Sequence, residues 1–90
     1  MIIYYDKCEV CQNIPLRRAR NATAELRLDY PNVELDERYV GALRQWKDEA
    51  LKVGAKLPFL YSPKLNQHLE LDDVLDNSKE IKAFLAAECR

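Results

Sequence analysis

Four short strand-like stretches, either continuously apolar or alternating apolar with polar, restrict this chain's fold more than any other feature of its sequence. They lie at 2–5, 33–36, 57–61 ("LPFLY") and 68–71 ("HLEL"). A helix-length amphipathic segment separates the first from the second and the second from the third. Only the turn sequence "SPKLNQ" divides the last two, which then read as the arms of a hairpin. The first run joins β-branched to aromatic residues without interruption, as suits a strand buried on both faces.

Between the runs the periodicity is helical. Cys11, Pro15, Ala19, Ala22 and Leu26 share one stripe of a helix expected over 11–28, with Pro15 bending it or sitting in its first turns. "DYPN" at 29–32 ends it, because Pro31 disfavours helical backbone at Tyr30. A second helix is expected to start at Asp36 or Glu37 and to carry Val40, Leu43, Lys47, Ala50 and Leu51 on one face. Trp46 stands at its margin, and Gly54 is a natural C-terminal stop. Asp72, Asp73 and Asp76 load the front of a last helix with negative charge, as the helix dipole favours. Its stripe is Val74, Ile81, Phe84 and Leu85, with Leu75 at the edge. The order β-α-β-α-β-β-α implies an α/β fold. A right-handed parallel unit is followed by an antiparallel hairpin, giving a mixed four-stranded sheet with helices on both faces. One domain over 1–90 accommodates all of it.

Charge and cysteine usage narrow the function. Fourteen basic and fifteen acidic residues are well mixed, for a net charge of −1, so no electrostatic footprint for nucleic acid or an anionic membrane is expected. The basic cluster "LRRAR" at 16–20 reads as a solvated helix face. Three cysteines are too few and oddly numbered for a disulfide-stapled secreted scaffold. The opening "MIIYY" lacks a basic n-region and is too short for a signal peptide, and no stretch has the apolar length of a membrane span. A reducing, cytoplasmic setting is therefore expected.

Cys8 and Cys11 lie where the first strand gives way to the first helix. Their spacing alone leaves a redox pair, half a metal site and ordinary thiols open. With the strand ending near Asp6, Cys8 is expected in the loop and Cys11 in the first helical turn. The orphan N–H groups and dipole of a helix start favour a thiolate there. Cys8 would attack a disulfide, and Cys11, one turn behind, would resolve the mixed disulfide. Asp6 and Glu9 flank Cys8 and oppose thiolate formation, which points to a less acidic nucleophile and a reducing role. A metal site needs further ligands, and His68 and Cys89 are the only soft candidates. His68 reads as an exposed strand residue on the far hairpin arm. Cys89 reads as a terminal thiol, with a regulatory or dimer-forming disulfide as the alternative.

Taken together, "IIYYDKCEVC", "KLPFLYS" and "LDDVL" resemble the glutaredoxin-like branch of the thioredoxin-fold family, over essentially the whole chain. The resemblance implies a thioredoxin-like fold and a cytoplasmic, monomeric thiol–disulfide oxidoreductase or electron donor with a redox-active Cys8–Cys11 pair. It places Leu57–Pro58 at a cis-proline strand start facing the cysteines, with the Leu57 backbone left to pair with substrate. Asp72 and Asp73 fall at the family's acidic pair, which binds one end of glutathione. Tyr5 and Lys7 border the same site. Lys7, Arg17 and Arg18 could attract an acidic substrate, although solvated charge explains them as well. No bound cofactor is implied, and glutathione enters as a co-substrate. The implied partners are a disulfide-containing protein or small molecule and an upstream reductant, either glutathione or a reductase.

Departures from glutaredoxins are specific. Glu9-Val10 replaces Pro-Tyr between the cysteines, and Lys56-Leu57 replaces Thr-Val before the proline. Leu69-Glu70 stands where Gly-Gly precedes the acidic pair, and Ile2 occupies the spacing of the thioredoxins' buried aspartate. The second class of function is a thioredoxin-fold binding or accessory module that carries an iron–sulfur cluster or zinc, or whose cysteines are incidental.

Overall fold

The computed structural model describes residues 1–7, 13–72 and 77–89. Its elements run β1 (Ile2–Tyr5), α1 (Ile14–Leu26), β2 (Asp36–Tyr39), α2 (Arg44–Val53), β3 (Phe59–Ser62), β4 (Gln67–Glu70) and α3 (Ser78–Cys89). The four strands form one mixed sheet in the order β2-β1-β3-β4. β1 runs parallel to β2 and antiparallel to β3, and β4 returns antiparallel beside β3. The expected α/β order and mixed four-stranded sheet are therefore present.

The pleat divides the core in two. Ile3 and Leu60 face one side, where they pack with Leu16, Ala19 and Leu26 of α1 and Ile81 and Leu85 of α3. Tyr4 and Phe59 face the other side and meet Ala50 of α2, with Ile2, Val40, Val53 and Tyr61 around them. Ile3, Leu16, Phe59, Leu60, Ile81 and Leu85 are fully buried. Each such side chain stabilises the fold by roughly 1.5–3 kcal/mol. α1 and α3 cover the larger core. α2 buries only Ala50.

Polar contacts fix the elements on the sheet. Arg20 of α1 donates from Nε and Nη2 to the two carboxylate oxygens of Glu37 on β2, at 2.6 and 2.5 Å. On the opposite face, Arg38 Nη1 donates to Glu49 Oε1 of α2, and the Tyr4 hydroxyl donates to the same oxygen at 3.0 Å. Buried Thr23 returns its hydroxyl to the Ala19 carbonyl at 2.8 Å, so its polar group costs little inside α1.

Three boundaries correct the sequence expectations. The second strand was expected at 33–36, on its apolar residues, but β2 is the polar stretch "DERY". Ile2 pairs with Asp36 and Tyr5 with Tyr39, so backbone pairing to β1 at the sheet's edge defines the strand. Val33 and Leu35 instead pack on the core as a lead-in. The second helix consequently starts at Arg44 rather than at Asp36 or Glu37, and it leaves Leu43 and Leu51 exposed. Its C-cap is Gly54, at φ +77°. The last helix begins at Ser78 with Glu80 as its first-turn acid, so Asp72 lies ahead of the helix rather than at its front. Asp73, Val74, Leu75 and Asp76 lie outside the described residues. No helix among the described residues is long and apolar enough to cross a membrane.

Candidate functional site

Strand direction brings distant parts of the sequence to one end of the sheet. β1 and β3 are antiparallel, so the end of β1 meets the approach to β3. β4 is antiparallel to β3, so its end arrives at the same place. There a cleft of about 530 Å³ opens. Asp6 and Lys7 enter it from the end of β1, Asn13 from the start of α1, and Lys56, Leu57 and Pro58 from the approach to β3. Glu70, Leu71 and Asp72 complete the rim from the end of β4.

Hydrogen bonds hold each wall. The Leu71 N–H donates to the Pro58 carbonyl at 2.9 Å, which extends the β3–β4 ladder to the cleft. Glu70 accepts the Lys56 N–H at 2.8 Å through Oε2. Arg18 of α1 donates to the Asp72 carbonyl at 3.1 Å, which ties that segment to the helix. The Leu57–Pro58 peptide bond is cis. Among the described residues, neither the N–H nor the carbonyl of Leu57 takes part in a backbone hydrogen bond.

The start of α1 corrects a further expectation. Its N-cap is Asn13, with non-helical φ −94° and ψ 85°, so the helix expected over 11–28 begins at Ile14, and Cys11 itself lies outside the described residues. Asparagine is a strong capping residue because its side-chain oxygen satisfies an orphan N–H, and Pro15 in the first turn loses nothing by lacking one. Asn13 Oδ1 accepts from the Leu16 N–H at 3.1 Å. Its Nδ2 donates to the Lys7 carbonyl at 2.7 Å. Of the first three helical residues, then, Pro15 has no donor and Leu16 has committed its own to Asn13.

The structure gathers four of the residues singled out by sequence, Lys7, Leu57, Pro58 and Asp72, around this cleft. Tyr5 is placed elsewhere. Its ring stacks on Tyr39 with centroids 5.7 Å apart, and it packs on the α1–α3 core. Cys8, Cys11 and Asp73 lie outside the described residues, as do Glu9 and Val10. Sequence reasoning did not single out Asn13 or Lys56 for the site. An asparagine directly before an Ile-Pro helix start was the available signal for Asn13.

The remaining candidates stand away from the cleft. His68 is exposed on β4, with its ring edge-on to Phe59 at 6.3 Å. Cys89 is a free thiol lining a separate hollow with Met1, Tyr30 and Glu88, at the far end of β1 from Lys7. Among the described residues, no three His, Cys, Asp or Glu side chains are grouped so as to hold a metal ion. The cleft rim mixes three carboxylates, Asp6, Glu70 and Asp72, with two ammonium groups, Lys7 and Lys56. Such a rim carries polar groups of both signs without a strong field of one sign. The chain matches no protein-family model, and neither the curated proteins nor the solved structures contain a significant match to it.

Proposed function

We infer that this chain is a thiol–disulfide oxidoreductase of thioredoxin-like fold, a glutaredoxin-like dithiol reductant that uses Cys8 and Cys11. One observation carries the reading. The cleft joins Lys7, directly before Cys8 in sequence, and Asn13, two positions after Cys11, to the Leu57–Pro58 segment. A CxxC stretch thus leaves and rejoins the described chain at the rim of a cleft walled by backbone suited to a peptide ligand. The mixed four-stranded sheet and the order of its elements also support the reading.

The chemistry proceeds in two exchanges. The Cys8 thiolate attacks one sulfur of a substrate disulfide, the substrate S–S bond breaks, and the departing thiolate takes a proton from solvent. The Cys11 thiolate then attacks Cys8 Sγ, which releases the second substrate thiol and leaves the Cys8–Cys11 disulfide. Two electrons pass from the dithiol to the substrate, and glutathione or a reductase restores them. Leu57 backbone groups bind the substrate's extended backbone beside the reacting sulfurs. The helix start argues for a reducing poise. Leu16's N–H is committed and Pro15 has none, so the helix start has fewer donors to offer a thiolate than an uncapped first turn would. A less stabilised thiolate makes the dithiol a better reductant, since strong oxidants of this chemistry are those with a stabilised reduced form.

Alanine is unnecessary as a test when serine preserves shape. Reduction of a small disulfide, coupled to glutathione or to thioredoxin reductase, is expected to vanish in Cys8→Ser and to weaken in Cys11→Ser. Undiminished activity in Cys8→Ser contradicts the reading, and an inactive wild type that retains iron or zinc contradicts it in favour of a metal-carrying accessory module.

A further inference from the structure

Leu57 is bracketed by two hydrogen bonds and takes part in neither. On one side the Pro58 carbonyl accepts from the Leu71 N–H at 2.9 Å, as the last rung of the β3–β4 ladder. On the other side the Lys56 N–H donates to Glu70 Oε2 at 2.8 Å. The two anchors come from the last residue of β4 and the residue after it. Between them, the Leu57 N–H and carbonyl join no backbone hydrogen bond among the described residues, and the whole segment lines the cleft. Backbone pairing alone does not reach Lys56, so a side chain completes the wall. Fixing loop backbone costs conformational entropy, and a hydrogen bond to a carboxylate, stronger than a neutral one, offsets that cost before any ligand arrives.

We propose that Glu70 is a positioning residue for substrate selection, whose carboxylate pre-sets the Lys56–Leu57 backbone so that the cleft favours disulfides carried on an extended peptide over small disulfides. The proposal rests on the thiol–disulfide reading above. A peptide that pairs with the Leu57 N–H and carbonyl gains from order already in place. A small disulfide without peptide groups has nothing to pair there. Glu70 acts through Lys56, and it is exposed, so replacing it removes no core packing.

The test compares two disulfides that share a leaving thiol. One is a short unstructured peptide whose single cysteine is joined to β-mercaptoethanol, and the other is hydroxyethyl disulfide. Pre-reduced protein gives two electrons to either one. The substrate S–S bond breaks to release two thiols as the Cys8–Cys11 disulfide forms. In single turnovers, Glu70→Ala is expected to raise the half-saturating peptide concentration about fivefold, with a limiting rate within about twofold of wild type. The preference for peptide over small disulfide then falls by the same factor. Glu70→Gln keeps an acceptor of equal reach without the charge, and it is expected to restore most of that preference.

Hydrogen exchange at the Lys56 N–H reads the bond itself. Residue 70 is no sequence neighbour of Lys56, so the amide's intrinsic rate is common to all three proteins. It should exchange several times faster in Glu70→Ala than in wild type or Glu70→Gln. An unchanged preference or unchanged Lys56 exchange in Glu70→Ala overturns the positioning role. So does a Glu70→Gln protein that matches Glu70→Ala in both, since charge and not the bond would then be responsible. A wild type that reduces neither disulfide overturns the oxidoreductase reading and this inference with it.

Discussion

Tyr4 is where single-residue chemistry reports most directly on the packing. Its ring is buried against Phe59 at 5.2 Å, and its hydroxyl donates to Glu49 while Arg38 lies 5.8 Å from the ring centroid. Burial, reinforced by the hydrogen bond and the charge of Glu49, raises the Tyr4 pKa above the ordinary tyrosine value, and Arg38 offsets this only in part. The sign follows from linkage. A group whose folded pKa is raised contributes stability in full below its unfolded pKa, near pH 10, and loses it as pH climbs through the folded value. An absorbance titration of wild type minus Tyr4→Phe should show this phenol ionising above the free-tyrosine range. In Glu49→Ala it should ionise closer to that range, and denaturation at neutral pH should show a loss of about 1–2 kcal/mol, limited by the pair's partial exposure. An unchanged Tyr4 titration in that variant contradicts the part assigned to Glu49. Tyr4 as a core residue was legible in the run "IIYY". Its partners were not, because Arg38 and Glu49 come into range only once β2 is registered on β1 and α2 crosses the sheet.

At the scale of elements, the stops were easier to read than the starts. Gly54 was legible as the end of α2, since a left-handed residue closes a helix and glycine alone takes φ +77° without cost. A side chain added there would meet nothing within 4 Å, so Gly54→Ala isolates the backbone term. Chemical denaturation should show it about 1 kcal/mol less stable than wild type. An equal or greater stability would mean that this cap does not hold the left-handed conformation. The starts of α1 and α2 were misjudged for a common reason. Apolar periodicity runs on past a helix's ends, whereas the true start depends on which residue satisfies the free N–H groups. For α1 that residue is Asn13, which sets the start at Ile14. β2 was misjudged because apolar content marks buried strands, whereas this edge strand is fixed by pairing and by Arg20 gripping Glu37. The hairpin of β3 and β4 read more simply, because Asn66 at φ 51° supplies the positive-φ turn residue beside an alternating strand.

For the whole molecule, alternation of strand-like stretches with amphipathic segments was enough to give the element order, whereas the meeting of Pro58 and Asp72 with the segment after β1 was implied only by the family resemblance. What the sequence could not supply was the detail of the cleft wall. Glu70's grip on the Lys56 N–H depends on the register of the β3–β4 hairpin, and Asn13's on Lys7 falls where a helix was expected over 11–28. The central claim, that Cys8 and Cys11 exchange electrons with a substrate disulfide as a reducing pair, rests on that cleft and on the CxxC spacing. Its most direct test is the midpoint potential of the Cys8–Cys11 couple, read by thiol alkylation across glutathione or dithiothreitol redox buffers. The expected result is a reversible two-electron couple between about −200 and −270 mV, the range of reducing members of this chemistry. The contradicting result is no two-electron couple at all, or one near −120 mV, where the pair would act as an oxidant.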